Sequence, residues 1–389
     1  VVRQGGLFGL GLLARNDSET ASEQFKFDKP GFKAEQSVFK IKSAVVNSKP
    51  VLLGRNVDVD FNVLKNTVAI QINEKDFNDT TQSSLEFPYA AYRTNIGKAS
   101  WSIEEKKVTM QGDVANTTFT STNPTQEGLL FNGNLALYDI VGMTLNIDGV
   151  PFIKSADAKI IPENGKVVIR RDAEMLPFKN ARLTIDTLNG YHNLINGNIR
   201  ILSKKQFTGD ATYQFVNVSK DTFNIKMGNF ELRNLTGERR EKRDTEALST
   251  VARANVIVQD SVFLSPKMLY KGDFTMLAPQ KNLSLDGYVI PELKKYPELG
   301  GNWITYKGDK SEEIVIPVNE KLQSNDNRLY AGLHLRSTVT TNGIYPTFLS
   351  PKKSPDDDDF FITTGMFRRD EPNKLFSIYP ENTSTNEGN

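Results

Sequence analysis

The feature that most constrains the fold is a strand–turn–strand pattern with apolar residues at every second position. The clearest cases start at Ala99 and Ala136: each alanine opens an alternating strand, a turn follows, and a second strand leads to a glycine 13 positions on, Gly112 or Gly149 (112−99 and 149−136). Residues two apart in a strand share a face, so each hairpin carries one apolar face. A single hairpin cannot bury that face, and the hairpins must therefore stack.

Three further stretches follow the same order with other spacings or without the alanine: 181–197, 211–228 and 274–287. A turn of variable length between two fixed strands explains the different spacings. The alanine lets neighbouring backbones approach closely, and the glycine permits a bend or a bulge. We therefore expect an all-β fold, either an elongated, repetitive β-roll or β-solenoid or an open jelly-roll. The alternative is an ordinary β-sandwich whose spacings coincide by chance.

The strand pattern is interrupted by a stretch rich in Arg, Glu and Ala that ends near residue 254. This composition predicts a short charged connector, helical or looped, at 235–254. Around it we expect an N-terminal β region with a flexible lead-in at 1–90, a repetitive β region at 91–234 and a C-terminal β region at 255–389.

The apolar start of the chain, residues 5–13, is too short to span a bilayer and lacks the basic flank of a signal peptide. We expect it to be a mobile lead-in or an edge strand. No other stretch approaches transmembrane length, so we expect no transmembrane span in this segment. Because the chain starts with Val1 and not Met, we expect it to be a piece of a longer polypeptide or a processed product.

Charge and rare residues narrow the functional classes. Lys and Arg total 48 against 47 Asp and Glu, a net charge of +1, so no global field attracts nucleic acid. The chain has no cysteine and two histidines, which argues against thiolate or multi-histidine metal sites. The sequence contains no phosphate loop, dinucleotide fingerprint or nucleophile elbow. We therefore expect no catalytic residues, no metal and no cofactor.

The units at 99–114, 136–150, 181–199 and 211–230 resemble the OstA-like family, the periplasmic β-jellyroll of lipopolysaccharide-transport proteins. The wider phrasing, such as Gly209-Asp-Ala-Thr-Tyr213, also resembles large envelope proteins of Bacteroidetes-type bacteria. The resemblance covers about a third of the chain. It implies a periplasmic or surface location in a Gram-negative bacterium and a non-enzymatic role. In that family the groove of the β-roll carries acyl chains.

Several residues are candidates for ligand contacts. If the units form a lipid-carrying roll, its groove is expected to be lined by Leu137, Leu145, Ile147, Leu183 and Ile199. Trp101 and Trp303 are candidates for stacking against a glycan, although aromatic residues in strands usually pack in the core.

Other polar residues are expected to be structural. The acidic run 356–359 is either a calcium site or, as we expect, a solvated acidic loop. His192 is expected to face solvent in a turn, and His334 to face one side of a strand.

These observations predict a non-enzymatic structural or interaction scaffold of the bacterial cell envelope or surface. Its partners would be other envelope proteins or further copies of itself. The alternatives are a β-roll that binds or conducts lipid or glycolipid, and a glycan-binding or glycan-active module.

Overall fold

The computed structural model describes residues 2–4, 6–44, 48–72, 84–186, 188–234, 248–293, 301–309, 314–337, 342–370 and 372–380. The chain divides into two compact units, Val1–Thr212 with Asn229–Thr250, and Tyr213–Gly228 with Val251–Asn389. The predicted all-β class is confirmed: in the described residues, helical structure is limited to four single turns of 3-10 helix. These are Pro124–Gln126, Glu163–Gly165, Arg171–Ala173 and Val258–Asp260.

The strands up to residue 203 are β1 (Val2–Arg3), β2 (Gly6–Ala14), β3 (Ser18–Asp28), β4 (Gly31–Ile41), β5 (Leu52–Asn62), β6 (Thr67–Ile72), β7 (Ser84–Phe87), β8 (Tyr92–Thr94), β9 (Lys98–Ser102), β10 (Lys107–Gln111), β11 (Thr118–Ser121), β12 (Leu130–Asn132), β13 (Leu135–Asp139), β14 (Thr144–Asp148), β15 (Ile153–Ser155), β16 (Ala158–Ile161), β17 (Val167–Ile169), β18 (Phe178–Ile185) and β19 (His192–Ser203).

The remaining strands are β20 (Gln206–Val216), β21 (Thr222–Asn234), β22 (Leu248–Val256), β23 (Phe263–Ser265), β24 (Met268–Leu277), β25 (Ser284–Pro291), β26 (Ile304–Asp309), β27 (Ile316–Val318), β28 (Gln323–Ser324), β29 (Asn327–Arg328), β30 (Tyr330–Ser337), β31 (Asn342–Ser350), β32 (Asp358–Ile362), β33 (Gly365–Asp370) and β34 (Leu375–Tyr379).

In the first unit the sheet begins as an antiparallel meander and then divides. Strands β2 to β5 pair consecutively. The long strand β5 pairs with β6 through residues 57–62 and with β7 through residues 53–55. Two ladders start at this point. The first ladder runs β6–β9–β10–β13–β14–β17, and the second runs β7–β8–β11–β12–β15–β16–β18–β19.

The chain feeds these ladders alternately, one hairpin at a time. Hairpin β7–β8 belongs to the second ladder, β9–β10 to the first, β11–β12 to the second, β13–β14 to the first and β15–β16 to the second. The two hairpins with the clearest spacing in the sequence, which start at Ala99 and Ala136, are therefore neighbours in one ladder, joined through β10 and β13.

The core of the first unit lies between the two ladders. Phe87 of the second ladder and Tyr138 of the first are both fully buried, and their ring centroids are 4.7 Å apart. A Cβ at Gly133 would lie 2.8 Å from Ile147 Cγ2 of the first ladder and 3.2 Å from Phe119 Cε2 of the second. Side chains of the two ladders thus fill the space between them.

The alanines of the repeat have a packing role in this core. Cross-strand partners form one buried row in the order Ile70, Ala99, Met110, Ala136 and Ile147. Small and large side chains alternate along the row, which lets adjacent strands share the interior without voids or clashes. In the second ladder, Ala181 is the direct cross-strand partner of Gly197.

In its described residues, the second unit contains four antiparallel groups of strands. Strand β24 pairs with β22, β23 and β25, and β25 pairs with β26. The others are β27–β33–β34, the hairpin β28–β29, and the three-stranded sheet β31–β30–β32. Of the predicted connector, residues 235–247 lie outside the described residues, and residues 248–254 belong to strand β22 and are neither helix nor loop.

The buried row predicts how the first unit responds to enlarged alanines. Replacing Ala99 or Ala136 by Leu adds volume between large neighbours and is expected to lower the free energy of unfolding by about 1–3 kcal/mol. The matched control is Ala69→Leu, because Ala69 is an exposed residue on the opposite face of the same ladder. Urea unfolding followed by tryptophan fluorescence measures the difference, and equal stability of all three variants would contradict the packing described.

Candidate interaction surface

The five predicted groove residues do not line one open surface. Leu145, Ile147, Leu183 and Ile199 are at most 1% exposed and lie in the filled interior of the first unit. Leu137 is half-buried and lies on the opposite face of its ladder, where its cross-strand partners are Thr109 and Asn146.

The two tryptophans belong to different units and differ in burial. Trp101 is 3% exposed, and its ring centroid is 6.1 Å from that of Phe39 in the core of the first unit. Trp303 belongs to the second unit, is half-buried, and has Lys271 Nζ 4.3 Å from its ring centroid. Trp101 is therefore covered by its own unit and has no exposed ring face for a glycan.

The expectation for His192 was wrong. His192 is the first residue of β19 and is fully buried, opposite Ile185 of β18. The turn signal of Asn189 and Gly190 ends before it, and in the strand His192 shares a face with buried Leu194. Extending the alternation of strand β19 back from Leu194 by two residues would have predicted that His192 is buried.

The acidic run 356–359 is also not a solvated loop, because its last two residues begin strand β32. Asp357 is 7% exposed; it accepts hydrogen bonds from the Tyr345 hydroxyl and from the Ser354 amide at 2.9 Å. In the part of the chain that the structure describes, no cluster of three or more His, Cys, Asp or Glu side chains is arranged to hold a metal ion.

His334 is at the centre of a polar network on the inner face of the sheet β31–β30–β32. It is fully buried on the central strand β30, where Tyr345 and Asp359 are its cross-strand partners. Its Nδ1 lies 2.9 Å from Asp359 Oδ1 and its Nε2 lies 2.7 Å from Thr347 Oγ1. An ionised carboxylate only accepts, so Nδ1 carries a proton and donates to Asp359, and Nε2 forms a second hydrogen bond with the Thr347 hydroxyl.

A hydroxyl, an imidazole and a carboxylate in this order also form the triads of hydrolases. Here Thr347 is only 5% exposed, so its hydroxyl does not face a surface that a substrate reaches. Lys352, which follows strand β31, also joins the network. Its Nζ lies 2.5 Å from Asp359 Oδ1 and donates to the Asp357 carbonyl at 2.9 Å. The network ties the three strands together.

The charges of the network are set by these contacts. The hydrogen bond from Lys352 is the main cause that lowers the pKa of Asp359, and the contact with His334 lowers it further. The hydrogen bond from Tyr345 is the main cause that lowers the pKa of Asp357. Burial, followed by the bond to Asp357, raises the pKa of Tyr345. Both carboxylates are therefore held in their ionised form.

The opposite face of the same sheet is exposed and mainly apolar, with exposed Asp358 opposite Leu335 as a charged neighbour. We call it the outer face; its residues are Leu333, Leu335, Ile344, Pro346 and Phe361. Leu333 pairs with both Pro346 and Phe361, and Leu335 pairs with Ile344, so the side chains are contiguous across the three strands. Ile344 and Phe361 are each 57% exposed, and the adjacent Phe360 is 66% exposed.

This sheet thus buries the polar side chains of His334, Tyr345 and Thr347, leaves Asp359 partly exposed, and exposes apolar side chains on its other face, the reverse of the usual arrangement. The largest apolar patch on a typical monomer covers about 300–600 Å² and often marks a binding site. The alternation over 333–335 and 344–347 was visible in the sequence. The alternation shows which residues share a face of the sheet, but it does not indicate which of the two faces is exposed.

The first unit also contains an open groove of about 800 Å³, which includes Phe207 and Phe230. Its charged side chains contact one another: Lys205 Nζ lies 3.2 Å from Glu127 Oε1, and Arg233 lies 2.7 Å from a carboxylate oxygen of Glu231. The charged side chains of this groove therefore form exposed ion pairs with one another, which contribute little to stability.

No family model, no curated protein and no solved structure matches this chain. Among the residues that the structure describes, no helix has the length and apolar character needed to cross a bilayer.

The lowered pKa values of Asp357 and Asp359 predict acid-sensitive stability. A carboxyl whose pKa is lower in the folded state than in the unfolded chain stabilises the fold above its ordinary pKa of about 3.9, and this stabilisation is lost as the pH falls through the folded value. The temperature of the thermal midpoint of the wild type should therefore decrease when the pH is lowered below about 4.

The variant Asp359→Asn isolates this contribution. It should have a lower midpoint than the wild type at neutral pH and a smaller further loss on acidification, because the ionised carboxylate is already gone. Asp358→Asn is the control, since Asp358 is an exposed neighbour in the same strand. If both variants follow the wild-type curve from pH 2 to 7, the network does not stabilise the sheet.

Proposed function

We propose that this chain is a non-enzymatic structural or interaction scaffold of the bacterial cell envelope or surface, and that the outer face binds another protein. The observation that carries the proposal is the distribution of apolar side chains. Those between the two ladders fill the interior of the first unit, and those on the outer face in the second unit are displayed to solvent.

The filled interior favours a scaffold over a lipid conduit. A conduit needs a continuous apolar groove that is open to an acyl chain. Of the residues proposed to line such a groove, Leu145 and Ile199 are fully buried, and Tyr138 and Phe87 occupy the space between the ladders. Lipid therefore has no entrance along this row of side chains.

The outer face has the properties expected of a protein-binding surface. Its apolar residues include an aromatic side chain, Phe361, and aromatic anchors are enriched at the energetic centres of interfaces. The sheet is held rigid from behind by the bonds of His334 to Asp359 and Thr347. A rigid surface loses little conformational entropy on binding, which favours affinity.

The finer architecture and the location are part of the proposal. The alternation of hairpins between two ladders supports a repetitive β-roll of the OstA-like type. The absence of cysteine from the sequence supports a location in the periplasm or on the surface of a Gram-negative bacterium. These environments are oxidising, and a chain without thiols avoids stray oxidation there.

One labelling experiment tests the proposed function. A photoreactive amino acid in place of Ile344 should form, on illumination in cells, an adduct with a specific protein that mass spectrometry identifies. The adduct should be lost when Phe361→Ser is added, because the substitution removes an apolar anchor. A photoreactive residue at exposed Asn327, on another hairpin of the second unit, is the control.

Lipid extraction of the same purified protein provides the second readout. We expect no acyl chains bound in stoichiometric amount. One bound acyl chain or lipid per protein molecule would contradict the scaffold and favour the conduit. Equal labelling from positions 344 and 327 would contradict binding through the outer face.

A further inference from the structure

Neighbouring strands of the second ladder carry positive charge without any negative charge. These strands are β12, β15, β16, β18 and β19, which pair in that order. They contain no Asp or Glu, although the whole chain has nearly equal numbers of acidic and basic residues. Their Lys and Arg side chains are Lys154, Lys159, Lys179, Arg182 and Arg200. Within a chain of balanced charge, positive charge is thus concentrated on this part of the first unit.

These cations lie on the side of the ladder that faces away from the interior. Ile153 and Leu183 are at most 1% exposed. Successive residues of a strand point to opposite faces, so their neighbours Lys154 and Arg182 point outward. Lys159 is half-buried and the other four cations are exposed. We call the surface formed by these five side chains the cationic face.

The cationic face has no negative charge of its own to neutralise it. In the described part of the first unit, the ion pairs involve other lysines and arginines and none of these five. Lys154 and Lys159 are direct cross-strand partners, and the Cβ atoms of such partners are about 4.5–5.5 Å apart. Like charges in this arrangement destabilise a sheet. An anion bound between the two ammonium groups would remove the repulsion.

Arg182 extends this pair to the next strand. Lys159 pairs with Thr184, and Arg182 is two residues before Thr184, so Arg182 is the diagonal neighbour of Lys159. Diagonal neighbours are about 7–8 Å apart. The planar guanidinium of an arginine matches a carboxylate with two parallel hydrogen bonds. Three adjacent strands therefore present three cations to one extended anionic chain.

The uncharged residues beside these cations are suited to hydroxyl groups. Thr184 and Asn193 are cross-strand partners on the same face, and Asn198 is a further exposed amide of β19. An asparagine side chain offers donors and an acceptor, as a hydroxyl does. Half-buried Phe152 has Lys159 Nζ 5.5 Å from its ring centroid. The negative face of an aromatic ring attracts the C–H groups of a sugar as well as a cation.

The composition of the cationic face argues against a protein partner. Protein interfaces centre on aromatic and apolar anchors, and charged residues are depleted at that centre. Here the lysine pair 154 and 159 occupies the centre. We propose that the cationic face binds an acidic polysaccharide, whose carboxylates contact the cations and whose hydroxyls contact the amides. This activity is additional to protein binding by the outer face, which belongs to the second unit, so the failure of one proposal leaves the other standing.

Binding of fluorescently labelled polygalacturonate, a linear polymer of an acidic sugar, to the full chain tests the proposal. The wild type should bind, and its affinity should fall as salt is added, because salt screens exposed charges. The double variant Lys154→Glu with Lys159→Glu should bind about tenfold more weakly or less, since two charge-assisted contacts become repulsive. The control is Lys65→Glu with Lys106→Glu, at exposed turns of the first ladder. It changes the net charge equally and should bind as the wild type does.

The single variant Lys154→Glu separates binding from folding. The new carboxylate would lie opposite Lys159, and opposite charges in this arrangement stabilise a sheet. Its thermal midpoint should therefore be no lower than that of the wild type, while its affinity for polygalacturonate should fall.

Three results would overturn the proposal. The first is a wild type that does not bind polygalacturonate, and the second is equal affinity of the two double variants for it. The third is a wild type that binds neutral dextran, or the acidic peptide polyglutamate, as tightly as it binds polygalacturonate.

Discussion

The first unit depends on the contact between its two ladders. Each hairpin has one apolar face and is too short to bury that face alone, so the hairpins of one ladder need those of the other. Phe87 and Tyr138 meet across this interior. The division of strand β5 between β6 and β7 makes the arrangement possible, because it starts two ladders from one strand.

The same constraint links packing to function. The interior is filled from both sides, and for this reason the proposed function is assigned to the surface. In the second unit, the network around His334 holds a sheet whose apolar side is turned outward. A buried polar network is costly unless its members are satisfied, and here the ring nitrogens of His334 contact Asp359 and Thr347. The network thus allows a polar face to be the buried one.

Much of the fold could be predicted from the sequence because alternation reports directly on strands. The hairpins at Ala99 and Ala136 are present, with Gly149 in a left-handed conformation at a φ of +70°. The candidate surface was harder to predict from the sequence. In strand β13 both faces carry apolar residues. The sequence therefore suggested that Leu137 shares a face with Leu145, whereas Leu137 pairs with Asn146 on the other face of the ladder.

Which face of a strand is buried depends on the strands that pair with it, and these strands can be distant in the sequence. His334 is buried because Asp359 and Thr347 supply its hydrogen bonds from neighbouring strands. Nothing in the local pattern around position 334 identifies them. Similarly, the exposure of Leu333 and Leu335 follows from which side of the sheet the rest of the second unit covers.

The contact between Phe87 and Tyr138 provides the most direct test of this account. The free energy of unfolding would be measured for Phe87→Leu, Tyr138→Leu and the double variant, which together form a double-mutant cycle. If the ladders pack face to face, the two substitutions should be coupled by about 0.5–1.5 kcal/mol, the usual value for an aromatic pair. Strictly additive effects would contradict a shared interior and with it the distinction between a filled scaffold and an open conduit.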